Sequence, residues 1–319
     1  MHPELFSIGP FHVYSYGLMI AIGMILAVWL GMRRCPARGL DKDQMFNLGF
    51  FGILAGVVGA KLLFYIVELP SVIEDPSMLL DFTNGFVVYG GIFTGILIPY
   101  IYCRVKKLPF LQYLDTAIPS IPLAQGFGRI GCFLAGCCYG LPTDSAIGVV
   151  FPAESMAPSG IALIPTQLIS SVGDFAIAAF LLWYTRKGTK REPGTAAGWY
   201  MILYGVGRFV IESFRGDHRG TVGFLSTSQF ISILLLIFAI FWMARCRKRK
   251  QERLQAEIDA KVDAELQAEE EEKREKEKEW QRVGQAFQLH ESTDESLEES
   301  VEEEKEEVEE PEKPEGTEK

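Results

Sequence analysis

Seven apolar runs divide the first 250 residues, and their lengths constrain the fold more than any other feature. A membrane-crossing helix needs about 20 mainly apolar residues. Val13 to Met32, Met45 to Val67, Gly85 to Cys103, Pro165 to Tyr184, Thr195 to Phe214 and Ser228 to Ala244 approach or exceed that length. Phe110 to Gln125 is a shorter run interrupted by Pro119 and Pro122. Hydrocarbon offers no water to the backbone, so such runs cross as helices. The expectation is an all-α, polytopic membrane protein with seven transmembrane helices. The first run has no basic segment before it and no small-residue cleavage site after it, so it reads as a retained span.

Charge divides the chain in two. Residues 1–250 carry 21 Lys and Arg against 14 Asp and Glu, whereas residues 251–319 carry 10 against 27. The domain reading follows: a seven-span membrane domain over 1–250, then a Glu-rich tail over 251–319, helical over about 251–282 and disordered beyond. Basic residues cluster at 33–44, 104–107, 186–191 and 245–250, with 4, 3, 4 and 5 Lys and Arg. Positive residues stay inside, which predicts an N-terminus outside and a C-terminus in the cytoplasm. Arg129, Arg215 and Arg219 then fall on the outer side and call for a special reason. Lys61, near the outer end of the second run, reads as an anchor that snorkels to the interface.

The stretch from Gly126 to Gly140 lies between two of these runs. It holds five glycines, Arg129 and three of the six cysteines. An arginine beside a membrane segment usually has a polar partner or a task. The glycines free the backbone to turn, so the stretch reads as a loop that lets a ligand approach. Cys132, Cys137 and Cys138 follow a C-x4-C-C spacing that is not a standard zinc pattern, with no histidine nearby. They read as small packing residues, with an outer-side disulfide left open.

Tyr204, Arg208, Glu212 and Arg215 follow one another at spacings of four, four and three, which puts them on one helical face. Such a stripe must face the protein interior or a watery cavity. It can be an Arg208–Glu212 pair that holds helices together, or a site. Two arginines in a partly dry pocket repel each other until an anion binds, and the arginine fork suits phosphate. The reading is a phospholipid phosphate held between Arg129 and Arg208.

On these residues the chain resembles the prolipoprotein diacylglyceryl transferases of bacteria, over about residues 1–244. Ser15-Tyr16-Gly17-Leu18-Met19 is similar to the family's first-span motif. Gly128-Arg129-Ile130-Gly131-Cys132-Phe133, with Gly136 and Gly140, resembles its signature. Pro165-Thr166-Gln167-Leu168 matches its Pro-x-Gln-Leu piece. Tyr204-Gly205-Val206-Gly207-Arg208-Phe209 with Glu212-Ser213-Phe214-Arg215 matches its penultimate-span motif.

The resemblance implies transfer of a diacylglyceryl group from phosphatidylglycerol to the lipobox cysteine thiol of a preprolipoprotein signal peptide, with loss of glycerol phosphate. It implies a multi-pass protein of the bacterial plasma (inner) membrane, whose partners are membrane lipid and that peptide, with no nucleic acid, no metal and no organic cofactor. Arg129, Arg208, Tyr204 and Tyr89 are the candidate catalytic residues. Tyr16, Gly128, Gly131, Gly136, Gly140, Gln167, Glu212 and Arg215 are the candidate substrate-binding residues. His218 reads as a loop residue. The chain also departs from the pattern. Cys132 and Cys137 stand where the family usually has Asn and Glu. Tyr89 and Ile164 stand for histidines, and Ile169-Ser170 for Tyr-Glu. These departures motivate a second reading, a related membrane transferase with a non-protein acceptor. A third is a non-catalytic lipid-binding membrane protein.

Overall fold

The computed structural model describes residues 4–8, 11–80, 85–186, 191–217 and 220–307. His218 and Arg219 lie outside the described residues, as do Lys187 and Lys190 of the third basic cluster. The chain divides into two compact units, Met1–Lys250 and Gln251–Lys319.

The first unit opens with an antiparallel hairpin, β1 (Glu4–Ile8) against β2 (Phe11–Tyr14). Helices follow: α1 (Ser15–Arg34), α2 (Lys42–Val67), α3 (Leu69–Glu74), α4 (Val88–Val105), α5 (Phe110–Ala117), α6 (Ser120–Ala135), α7 (Thr166–Tyr184) and α8 (Thr195–Glu212). The last helix, α9 (Thr227–Glu307), begins in this unit. Two short antiparallel pairs complete the strands, β3 (Val149–Val150) with β4 (Ala162–Leu163) and β5 (Thr221–Val222) with β6 (Leu225–Ser226).

Among the described residues, five helices are long and apolar enough to cross a membrane: α1, α2, α4, α7 and α9. The two other expected crossings differ from this. The run from Phe110 to Gln125 breaks into α5 and α6, with Ile118 and Pro119 between them. Both residues keep helical backbone angles, but proline has no N–H to donate, so the helical hydrogen-bond ladder is interrupted there. The 18-residue α8 carries Arg208 and Glu212 and is not among the five. A larger difference concerns the glycine-rich stretch. Its first ten residues form the C-terminal part of α6 rather than a loop, and the turn comes only at Gly136, with φ 74°. Glycine weakens a helix by about 1 kcal/mol, and close packing outweighs that here. A Cβ at Gly126 would stand 2.5 Å from the Phe175 ring of α7, and one at Gly131 would stand 3.2 Å from Tyr16 of α1.

Packing runs α4 on α2, α2 on α1, α1 on α6, α6 on α7 and α7 on α8. The α2–α4 contact is made nearly backbone to backbone. A Cβ at Gly90 would stand 2.3 Å from the Gly59 carbonyl oxygen. Thr94 Oγ1 donates across the contact to the Ala55 carbonyl at 2.6 Å. Gly52 and Gly56, one helical turn apart in α2, face Gly95 and Gly91 of α4. Small residues at such contacts let membrane helices approach closely.

Lys61 is buried inside the protein, with Nζ 5.0 Å from the ring centroids of Phe64 and Tyr65 and 5.3 Å from that of Phe86. Three aromatic faces attract the ammonium, which removes the need to snorkel.

Several basic chain ends meet at one end of the unit. Arg34 Nη1 donates to the Thr116 carbonyl at 2.6 Å, and Arg38 donates to the Thr185 carbonyl. Asp115 accepts from the backbone N–H of Gly194 at 2.8 Å and of Ala197 at 3.2 Å, which fixes the start of α8. An acidic group at a helix N-terminus also meets the positive end of the helix dipole. The opposite ends of α6, α7 and α8 are the ones that build the site below.

The second unit continues as helix to Glu307, and every side chain from Gln251 to Gln285 is exposed. Pairs such as Lys276–Glu272, 2.6 Å apart, lie at i,i+4 spacing. Exposed pairs of that kind are screened by solvent and add little to stability.

Candidate active site

A cavity of ≈ 480 Å³ lies among α6, α7 and α8. Arg129 enters it from α6, Asp174 from α7, and Tyr204 and Arg208 from α8. The remaining wall is mostly aliphatic, including Ile164, Ile169, Ile177 and Ile211. The sequence-predicted arginines therefore share one hollow, and the four-residue step from Tyr204 to Arg208 does put both side chains on its wall.

Arg208 is held from behind. Arg208 Nη2 lies 2.6 Å from Glu212 Oε2, with both side chains nearly buried, and donates to Ser228 Oγ at 2.7 Å. Arg208 Nη1 is buried without a hydrogen-bond partner among the described residues. A buried, charged donor left unmet costs several kcal/mol in an apolar setting, and an anion in the cavity would relieve it. Tyr204 stacks on Tyr200 with ring centroids 5.6 Å apart, and Tyr200 in turn donates to Gln125 Oε1 of α6 at 3.0 Å. Asp174 is buried and lines the same cavity as Arg129.

Beyond the helix ends, three chain segments are tied together. Residues 137–141 run between the segment that leads into α7 and the segment that leaves α8. Gly140 N donates to the Ile164 carbonyl at 2.9 Å, Leu141 N to that of Phe214 at 2.9 Å, and Gly216 N to that of Tyr139 at 3.1 Å. A Cβ at Gly140 would stand 2.6 Å from the Ile164 oxygen and 2.9 Å from the Phe214 oxygen. Only glycine fits there without displacing backbone. Gln167 is buried and donates from Nε2 to the Cys137 carbonyl at 2.7 Å. Arg215 makes a two-pronged pair with Asp217, at 2.9 and 2.7 Å, and its Nε lies 3.8 Å from Glu212 Oε2.

The candidates thus fall into groups. Arg129, Arg208 and Tyr204 line the cavity. Glu212, Arg215 and Gln167 stand behind it as supports. Gly131, Gly136 and Gly140 have packing or turn duties, while a Cβ at Gly128 would meet open space. Tyr16, partly exposed on the first turn of α1, packs at Gly131 and is close to Arg129. Tyr89 is half-exposed on the first turn of α4 and does not line the cavity. The sequence reading missed Asp174 and Ser228. A lone carboxylate inside an apolar run was the available signal for Asp174. Ser228 gave none, because its role depends on where α9 starts.

Fold and site together define a helical membrane protein with two arginines in a cavity of its bundle. Residues 3–245 match the family described as prolipoprotein diacylglyceryl transferase. A protein of Clostridium tetani (strain Massachusetts / E88) named phosphatidylglycerol--prolipoprotein diacylglyceryl transferase is 50% identical over 251 residues, which cover 79% of this chain and 100% of that protein. A Clostridium perfringens (strain 13 / Type A) protein, named as the second transferase of that kind, is 50% identical over 230 residues, covering 72% of this chain and 89% of its own length. A Streptococcus uberis (strain ATCC BAA-854 / 0140J) relative with the first name is 32% identical over 250 residues, covering 78% and 96%. The chain belongs to the prolipoprotein diacylglyceryl transferase family and is a transferase.

Proposed function

We propose that this chain transfers the diacylglyceryl group of phosphatidylglycerol to the lipobox cysteine thiol of a preprolipoprotein. The observation that carries the reading is that Arg129 and Arg208 line one cavity, with a buried Arg208 donor unmet. The phosphate of the lipid headgroup binds between the two guanidinium groups. The acceptor sulfur attacks the glyceryl carbon that bears the phosphate ester. The C–S bond forms, the C–O bond breaks, and the electron pair leaves on the oxygen of glycerol phosphate. The two arginines stabilise that growing negative charge, the kind of preorganised stabilisation that contributes most in a water-poor site. Tyr204 supplies a hydroxyl to the same anion. Glu212 orients Arg208, and Asp174 places a carboxylate in the same cavity as Arg129. The isoleucine wall accepts the start of the acyl chains. Tyr89, away from the cavity, has no part in this scheme.

The bundle is read as seven crossings, with α5 and α6 together as the fourth and α8 as the sixth. The basic clusters gather at the end opposite the site, which supports an outer site, an N-terminus outside and a C-terminus in the cytoplasm. The bacterial plasma membrane is the setting, and the first 250 residues form the catalytic domain.

The test mixes purified protein with phosphatidylglycerol labelled in the glyceryl group and a lipobox peptide. Labelled thioether peptide is expected, and Arg129→Ala should lower its rate about 100- to 1000-fold. Release of glycerol phosphate without peptide modification would instead point to a non-protein acceptor. Lipid binding without turnover would refute the transferase reading.

A further inference from the structure

Three sulfur atoms that this reaction leaves unused lie side by side. Cys132 is on the last turn of α6, and Cys137 and Cys138 follow the Gly136 turn. Their Sγ atoms all lie within 4.8 Å of one another. None is in a disulfide. Sequence spacing hid this arrangement, because the left-handed turn at Gly136 folds the chain back and Cys137 N donates to the Cys132 carbonyl at 3.1 Å.

The cluster is held more firmly than packing requires. Cys138 has φ 64°. That is the left-handed region, which residues other than glycine seldom occupy and which costs about 1–3 kcal/mol. The conformation is locked by α7, since Thr166 Oγ1 donates to the Cys138 carbonyl at 2.8 Å and Gln167 Nε2 to the Cys137 carbonyl at 2.7 Å. Cations border the cluster: Cys138 neighbours Arg215, and Arg129 feels both Cys132 and Cys138.

A tetrahedral zinc ion with bonds of about 2.3 Å holds its sulfurs about 3.8 Å apart. The observed separations exceed that spacing by no more than about 1 Å. Three thiolates and one divalent ion leave a net charge of −1, which the two arginines offset. Reactive zinc sites keep three protein ligands and an open fourth position, and a thiol that takes such a position is deprotonated outright. Among the residues that line the cavity there is no histidine, and its one carboxylate lies beside Arg129.

We propose that Cys132, Cys137 and Cys138 bind a zinc ion as three thiolates and that its open fourth position takes the acceptor cysteine. The inference rests on the transferase reading above and supplies its nucleophile. On binding, the acceptor S–H gives its proton to solvent, and the sulfur remains on the zinc as thiolate. It then attacks the glyceryl carbon as described, and no oxidant or reductant is consumed. The neutral thioether that results is a weaker ligand than thiolate, so product leaves. An unassisted thiol with pKa about 8.5 is only a few per cent thiolate at neutral pH, so full ionisation is worth about thirtyfold in rate.

The full-length protein, loaded with zinc salt in detergent and freed of excess, should retain one zinc per chain by elemental mass spectrometry. Cys132→Ser and Cys138→Ser should each bring that below stoichiometric. Cobalt(II) in place of zinc should give a thiolate-to-cobalt charge-transfer band in the unaltered chain. Its visible bands should shift on adding a lipobox peptide, though not a peptide with serine at the acceptor position. Metal-stripped protein should transfer about thirtyfold more slowly at pH 7. That deficit should shrink as pH rises past about 8.5, where the acceptor ionises unaided. Failure to retain zinc, or cobalt bands indifferent to the thiol peptide, overturns the proposal even if the serine variants misfold. Undiminished transfer by stripped protein overturns it while the transferase reading stands. A thiol-responsive metal with no thioether formed from phosphatidylglycerol upholds the metal site and refutes the transferase reading.

Discussion

At the scale of single residues, Glu212 is the side chain on which the most charge depends. It pairs with Arg208 at 2.6 Å, lies 3.8 Å from Arg215, and is itself nearly buried. Removing one partner of a buried pair costs about 3–5 kcal/mol, because the other charge stays behind. Glu212→Gln should therefore lower the thermal unfolding midpoint in detergent and weaken lipid turnover, as Arg208 loses its orientation. A variant with unaltered melting and unaltered turnover would show that the carboxylate is a bystander. Tyr204, Arg208 and Glu212 were legible in the sequence because helical spacing is a strict ruler once a span is recognised. Asp174 was not. A single carboxylate in an apolar run has no spacing to read, and only the packing of α7 on α6 brings it beside Arg129. The cysteine cluster was illegible for another reason, since C-x4-C-C straddles a helix end and its geometry depends on one left-handed glycine.

Among elements, the glycine-rich stretch was the main surprise. Glycine content suggested a loop, yet α6 continues through Gly126, Gly128 and Gly131 to Ala135. Neighbouring helices supply the stability that the residues lack, which is the usual way tertiary contact overrides propensity. Five of the other runs were legible to within about three residues at both ends, because long apolar runs have few alternatives in lipid, and the last was legible only at its start, since α9 continues to Glu307. The three-segment junction at Gly140 belongs to this scale too. Gly140→Ala would push its Cβ into two carbonyl oxygens, and overpacking of that kind costs about 1–3 kcal/mol. We expect the variant to insert and retain its helical circular dichroism but to lose most transfer activity, because the supports of the cavity are displaced. Full activity with normal lipid affinity would remove the junction from the site.

For the molecule as a whole, charge composition divides the chain at the same place as its compact units, near Lys250. The family match stops at residue 245, and the cavity draws all its residues from before that point. A chain ending at Lys250 should therefore retain transfer activity within about twofold, a change below about 0.5 kcal/mol in barrier height. A much larger loss in the assay with labelled lipid would assign the tail a part in catalysis. Where α2 meets α4, no side chain separates the two backbones at Gly59 and Gly90, so that pair has no rotamers to rearrange and stands as a fixed post. We expect any yielding around the cavity in α7 and α8, whose isoleucines line it. Molecules that wedge those two helices open or shut would then control traffic through the protein without touching either arginine.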